Sequence, residues 1–471
     1  MRRLVLSMST VLLLAGCASV GIDDALKDAN SRASQFTQGQ LSLARSPEER
    51  DQRSALATDL LSKPLSQDDA VRLALANSPA LQSLLADGWG ELSAANQAGR
   101  MPNPVFSFER MTVGPELEIG RLISFGLVDL LLLPRRMSIA QSQTEQAKLQ
   151  LTGMVVDQVT QVKQAWVHAV AAQQSLKYAE QVNESAAASA ELARRMQQVG
   201  NFTKLQRARQ QLFHADAATQ FAMARQSVTA SREALVRTLG LSDAQAASLK
   251  LPERLPALPS APRAPAEVSA SATQQRLDLQ LARAQLEQAG RSQGINLLST
   301  FFDAELGLRR DSLFDNVEGK RATRRGFELD VALPIFDWGD ARRGQLDARS
   351  LAAVNRYEAT SRAATSQLRE NYGAYRTAYD IARHYRDEVV PLRQAMADEN
   401  QLRYNGMLIG VFELLAEARD QVASVRGAID AQQQFWLADA ALAASVLGRP
   451  VGASAPSAKA SSSSTNAAAE H

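Results

Sequence analysis

The sequence predicts a membrane β-barrel joined to long α-helical hairpins, with four strands and two hairpins in each chain and closure left to association between chains. Three observations carry this. The chain repeats one order of elements in two halves of roughly 200 residues, and repeats decide a fold before any single element does. Each half holds a pair of segments whose side chains alternate in polarity with period two. Each pair is followed by a very long helical pattern that reverses at a glycine-containing tip and returns.

At the N-terminus, Arg2 and Arg3 precede an apolar run from Leu4 to Leu14. It is too short for a mature membrane helix, which needs roughly 20 residues, and has the length of a signal-peptide core. The run ends in Leu14-Ala15-Gly16-Cys17, which resembles the lipobox of bacterial lipoproteins. The resemblance implies that residues 1–16 are removed and that the Cys17 thiol carries a diacylglyceryl group. Ala18 stands where a lipoprotein retained at the inner membrane often has Asp, which points to the outer membrane. Cys17 is the single cysteine, so an exported chain of this kind has no disulfide framework. Residues 17–64 read as a lipidated N-terminal segment.

The first repeat is assigned to 65–248 and opens with a helix from Ser66 to Asn77. Strands follow at about 103–131. Phe106 and Phe108 precede a turn near Gly114-Pro115, and Leu117, Ile119, Arg121, Ile123, Phe125 and Leu127 then occupy every second position. The first long hairpin is assigned to about 136–240. Its outgoing helix, if continuous to Gln198, would extend roughly 95 Å at 1.5 Å per residue. Val155, Val159, Val162 and Trp166 follow steps of four, three and four, and Leu205, Ala208, Leu212, Ala215, Thr219 and Ala222 do the same on the return. These are coiled-coil seams, and the abundant alanines allow close approach.

A linker at 249–269 carries Pro252, Pro256, Pro259, Pro262 and Pro265, a spacing incompatible with helix. The second repeat, 270–450, opens with a helix from Ala270 to Gly290. Its strands lie at about 295–337, where Phe327, Leu329, Val331 and Leu333 alternate with polar residues, and its hairpin at about 341–447. Leu368, Tyr372, Tyr375, Tyr379 and Ala382 form one seam; Leu415, Val422, Ile429, Trp436 and Ala443 recur every seven residues on the return. The Ser- and Ala-rich stretch 451–471 reads as disordered.

One apolar and one polar face on strands of about ten residues fits a transmembrane barrel, and equally a soluble sheet with one face on a core. The lipobox favours the barrel. Four strands cannot close one, since about eight is the smallest number, and an open edge in lipid leaves backbone groups unsatisfied. The chain therefore shares its barrel with other copies.

Together the lipobox, the two repeats, and the strand pair and long hairpin in each resemble the TolC-type outer-membrane efflux channel family, over about residues 65–450. Leu333-Pro334-Ile335-Phe336-Asp337-Trp338-Gly339 is similar to the family's strand-exit motif. Asn77-Ser78-Pro79-Ala80-Leu81 and Pro102-Asn103-Pro104 look like its first-helix end and first-strand start. Arg403-Tyr404-Asn405-Gly406 followed by Phe412-Glu413-Leu414-Leu415 is similar to its second hairpin tip. The resemblance implies a homotrimer sharing a twelve-stranded barrel, with the helices continuing as a hollow α-helical barrel through the periplasm. It also implies a periplasmic adaptor and an inner-membrane pump as partners, with no chemistry in the channel.

Adaptor contact is expected at the tips: Val199, Gly200, Asn201 and Phe202 on one hairpin, and Asn405, Gly406, Met407, Leu408, Ile409 and Gly410 on the other. Glycines let the chain reverse, and exposed Phe, Met and Leu offer apolar anchors. Glu413 and Glu417 are the candidate pore constriction, where a ring of carboxylates would favour cations. The second tip departs from the family pattern, with a shorter tyrosine-to-glycine gap and Ile409 where some relatives place an arginine.

Other classes are disfavoured. The charge of 52 basic against 50 acidic residues is no polyanion-binding signature, so nucleic acid is not expected as a partner. His168, His214, His384 and His471 lack ligand spacing, and no phosphate loop or nucleophile motif occurs, so no enzyme, metal or cofactor is expected. The alternatives are a periplasmic adaptor, which usually has one hairpin between small β-domains, and a structural coiled-coil lipoprotein, which needs no alternating strands.

Overall fold

The computed structural model of the chain describes residues 21–450 apart from 115, 302, 316–317, 333–334 and 337. The signal segment, Cys17 and the 451–471 tail lie outside the described residues, as do Pro115 and Leu333, Pro334 and Asp337 of the strand-exit motif. In order the elements are α1 (Ile22–Arg32), α2 (Ser34–Thr37), α3 (Pro47–Leu61), α4 (Gln67–Asn77), α5 (Pro79–Ala98), β1 (Val105–Val113), β2 (Glu116–Gly126) and α6 (Leu127–Gln198). Next come α7 (Lys204–Leu239), α8 (Asp243–Ser248), α9 (Pro265–Gln275), α10 (Leu277–Phe301), β3 (Asp303–Asp315) and β4 (Arg321–Ala332). The chain ends in α11 (Asp340–His384), a π-helical turn (Tyr385–Val389), α12 (Val390–Asn405) and α13 (Val411–Val446). No helix among the described residues is long and apolar enough to cross a membrane.

The described residues form two compact units: one from residues 21–32, 83–154 and 277–364, the other from residues 33–82, 155–276 and 365–450. The first holds the sheet, in order β1-β2-β3-β4 and antiparallel throughout. Each half supplies one hairpin, as its alternation predicts, and the hairpins join through β2 and β3, where Ile123 faces Leu308. Helix α5 approaches α6 closely: a Cβ on Gly99 would lie 2.7 Å from that of Ala140. Gln146 donates to Gln288 at 2.6 Å and so ties α6 to α10.

The boundaries at the sheet depart from the sequence reading. Strand β2 ends at Gly126 and Leu127 opens α6, so the expected strand to 131 and helix from 136 are both displaced. The run Leu130-Leu131-Leu132-Leu133 has no period of two, and Asp129 sits in the first turn, where the helix dipole favours a carboxylate. Its Oδ1 accepts from Arg136 at 2.6 Å, and Pro134 is accommodated inside the helix. In the second half α10 continues to Phe301, so β3 begins at residue 303 rather than near 295. The opening helix expected over 270–290 is instead two helices, the first starting at Pro265 within the expected linker; a proline at the first helical position loses no bond there.

The second unit is built on the seams. Val155, Val159, Val162 and Trp166 of α6 are buried, and Trp166 Nε1 donates to the Leu65 carbonyl at 2.8 Å. Tyr375 and Tyr379 of α11 pack on Phe435 of α13, with ring centroids 5.6 and 5.7 Å apart. The predicted seam on α7 is corrected: Leu205 and Leu212 are 61% and 64% exposed, while Gln210, Ala217, Leu235 and Leu239 are buried. The three-four stepping of Leu205 and Leu212 therefore does not mark the inner face of that helix. On α13, Ile429 is buried and Val422, Trp436 and Ala443 are half-buried, one position off the enclosed Phe435 and Leu442; the Leu415 side chain is outside the described ones.

The linker is extended to residue 264 and is held along its length. Tyr379 donates its hydroxyl to the Pro259 and Ser260 carbonyls at 3.1 Å, and Tyr372 to that of Arg263 at 3.1 Å. Gln432 and Trp436 donate to the Pro256 carbonyl at 2.7 and 3.1 Å. The aromatic stripe read as a helix seam thus also anchors the connection between repeats.

Candidate functional site: the sheet faces and the hairpin tips

Register assigns every strand residue to one of two faces, because directly opposed residues share a face. One face carries Phe106, Ile123, Leu308 and Phe327 in a single row, with Phe125, Leu306 and Leu329 in the next. Phe106, Leu308, Phe327 and Leu329 are exposed rather than covered by the chain's own helices. The opposite face carries Glu109, Glu118, Asp311, Glu328 and Asp330 with Arg309 and Arg324. Arg309 donates to Asp311 at 3.1 Å and to Glu109 at 3.2 Å, so charges on this face are internally paired. Strands β1 and β4 each have one bare edge among the described residues.

The first tip closes α6. Gly200 takes φ +83°, and the Asn201 and Phe202 amides both donate to the Met196 carbonyl, at 2.9 and 3.2 Å. Thr203 then caps α7, with Gln206 completing a capping box. Val199 projects into solvent, whereas Phe202 is 7% exposed. The expectation of an exposed Phe202 anchor is therefore corrected: the turn leaves the ring buried.

The second tip reverses differently. Gly406 has φ −80°, and the left-handed position belongs to Met407 at φ 60°. The Leu408 amide donates to the Arg403 carbonyl at 2.8 Å, and Gly410 starts α13 without a side-chain cap. Met407 is 93% exposed, and Leu408 is also largely exposed. Asn405 ends α12, and Ile409 is half-buried beside Gly410.

Glu413 lies exposed in the first turn of α13, four residues before Glu417. The two are not equivalent. The Glu417 side chain is only 10% exposed and pairs with Arg393 of α12 at 3.4 Å, an arginine that also reaches Asp420. Neighbouring Arg419 donates to Gln210 at 3.4 Å and stacks over Phe213 of α7, 4.4 Å from the ring centroid. Sequence reasoning missed Arg393 and Arg419, because their partners lie on other helices and no local spacing announces them. Of the histidines, His168 bonds Gln433 at 2.8 Å, and burial lowers its pKa below the ordinary value; His384 lies 3.2 Å from Glu388.

No protein-family model matches the chain, and no curated protein matches it. Solved structures do. A membrane protein from Pseudomonas aeruginosa is 20% identical, with a TM-score of 0.66 over 83% of this chain and 93% of that one. The outer membrane protein VceC of Vibrio cholerae is 16% identical, with a TM-score of 0.66 over 84% and 96%. The open MtrE outer membrane channel of Neisseria gonorrhoeae is 17% identical, with a TM-score of 0.63 over 82% and 90%. The chain has the TolC-like fold.

Proposed function

We propose that this TolC-like chain is a subunit of an outer-membrane efflux channel, a passive duct into which a periplasmic adaptor and an inner-membrane pump discharge their substrate. One observation carries the reading: a four-stranded sheet with bare outer edges and an exposed apolar face. In hydrocarbon each unsatisfied backbone group costs several kcal/mol, so the edges must meet strands of other copies. Three copies give twelve strands, enough to close around an aqueous interior lined by the charged face. The likeness to VceC and MtrE, named as an outer membrane protein and an outer membrane channel, supports the same location for this chain.

Within that reading Cys17 anchors the chain by its lipid after removal of residues 1–16, and 65–248 and 270–450 act as the two efflux repeats joined by the proline-rich linker. The tips contact the adaptor through Val199, Met407 and Leu408, with Gly200, Asn201, Phe202, Asn405, Gly406, Ile409 and Gly410 shaping the turns. Glu413 and Glu417 line the constriction, and the channel itself catalyses nothing. The test is assembly. The expected result is fractionation with outer membranes and an oligomer in detergent that shifts to monomer mobility only on boiling. A folded, detergent-free single-chain species would refute the proposal.

A further inference from the structure

Arginines are distributed over the sheet in a way that pore formation alone does not require. On the apolar face, Arg121, Arg310 and Arg325 stand directly opposite one another on β2, β3 and β4, in one row with Phe108 of β1. Arg110 and Arg321 lie on the same face, nearer the hairpin turns, and the Arg321 guanidinium sits over the Phe314 ring at 5.2 Å from its centroid. All five are exposed, and none forms an ion pair among the described residues. No Asp or Glu falls on this face in any strand among the described residues; all of them alternate onto the other side.

Like charges directly opposed across strands repel, and cationic side chains on a lipid-facing wall are costly unless they reach the interface or find counter-charge. A neighbouring copy would present the same acid-free face, so its strands offer no carboxylate. The row sits near mid-strand, with apolar rows on its helix side and two rows on its turn side that carry Arg110 and Arg321, so the cationic track runs from the arginine row toward the turns. Their long stems allow the guanidinium groups to extend further that way. A planar guanidinium matches phosphate oxygens in bidentate fashion. Resting on the channel reading above, we infer that this arginine row is a docking surface for a phosphate-bearing anionic lipid in the leaflet on the hairpin-turn side of the barrel.

The test uses the full-length oligomer in detergent, with bisphosphorylated lipid A, the same lipid after enzymatic dephosphorylation, and inorganic phosphate as probes in native mass spectrometry. Wild type is expected to retain lipid A at least tenfold better than its dephosphorylated form, with no displacement by millimolar phosphate. The triple variant Arg121→Gln/Arg310→Gln/Arg325→Gln is expected to lose that preference, while Arg324→Gln on the charged face keeps it. If the triple variant fails to assemble, Arg310→Gln is compared with Arg310→Lys, and only the former should lower retention. Equal retention of both lipids by wild type, unchanged retention in the glutamine variants, or ready displacement by free phosphate would each overturn the inference. The channel reading fails separately, on loss of heat-modifiable assembly in wild type, so an oligomer that binds lipids indiscriminately removes only the docking surface.

Discussion

Single residues decide how tightly the chain turns. Gly240 follows α7 at φ +67°, and a Cβ there would lie 2.4 Å from Pro79 Cδ and 2.8 Å from Ser78 Cα. Gly240→Ala is therefore expected to lower stability by about 2–4 kcal/mol, combining left-handed strain with overpacking, read as an earlier midpoint in thermal unfolding of the oligomer. Such a glycine is visible in the sequence as a helix stop; what it touches is not. The tips teach the same lesson. Gly200 takes the reversing conformation its sequence predicts, but at the second tip Met407 does, since nothing local tells which residue of Asn405-Gly406-Met407 becomes left-handed. His168 is exposed on its outer side, and partial desolvation of its ring holds the folded-state pKa below the ordinary 6.5, so the unfolded chain binds more protons there. Stability should fall as pH drops below about 6.5 and level off beneath the lowered pKa. His168→Gln should flatten that part of a stability profile measured by denaturant titration; an unchanged slope would remove His168 as its source.

Elements were legible in type more than in extent. The period-two strands and the α6 seam are where their residues place them, because alternation and three-four stepping report a buried or lipid-facing side directly. Boundaries moved where no periodicity existed to mark them, as at Leu127 and between Ile295 and Phe301. The linker shows what sequence underdetermines. Its prolines predict an extended segment, but its attachment depends on donors more than 100 residues away, and Tyr379 supplies two of the contacts. Tyr379→Phe should leave those carbonyls short of a donor at a cost of about 1–3 kcal/mol. Trypsin should then cut faster after Arg254 and Arg263 in limited proteolysis; an unaltered cleavage rate would show that the remaining contacts suffice.

At the scale of the whole molecule, the open sheet is what leads us to propose an assembly as the functional unit. The strand count leads to that proposal from the sequence, and the acidic character of the face opposite the apolar one follows once register is known. The constriction proposed from the sequence is a pair of glutamates that differ in the structure, since Glu417 is engaged by Arg393 and Glu413 is exposed. Glu413→Lys is therefore expected to change cation selectivity in planar bilayers more than Glu417→Gln does. Glu417→Gln should act chiefly by leaving Arg393 to pair with Asp420 alone. Equal selectivity in Glu413→Lys and wild type would take that carboxylate out of the conduction path.

The π-helical turn at Tyr385–Val389 bears on that same pair. Gly427 makes room for it, as a Cβ there would press on the Tyr385 ring at 2.8 Å. A wide turn of this kind takes in one residue beyond the α-helical count, and each residue advances the azimuth by roughly 100°. Everything from Val390 onward is thereby rotated out of phase with α11, which is why Arg393 looks toward Glu417. Straightening the turn into α-helix with no residue removed would swing Arg393 about a quarter-circle away, leaving the carboxylate without its counterion while every side chain of the pair is still present; deleting one residue as well would return Arg393 to its present azimuth.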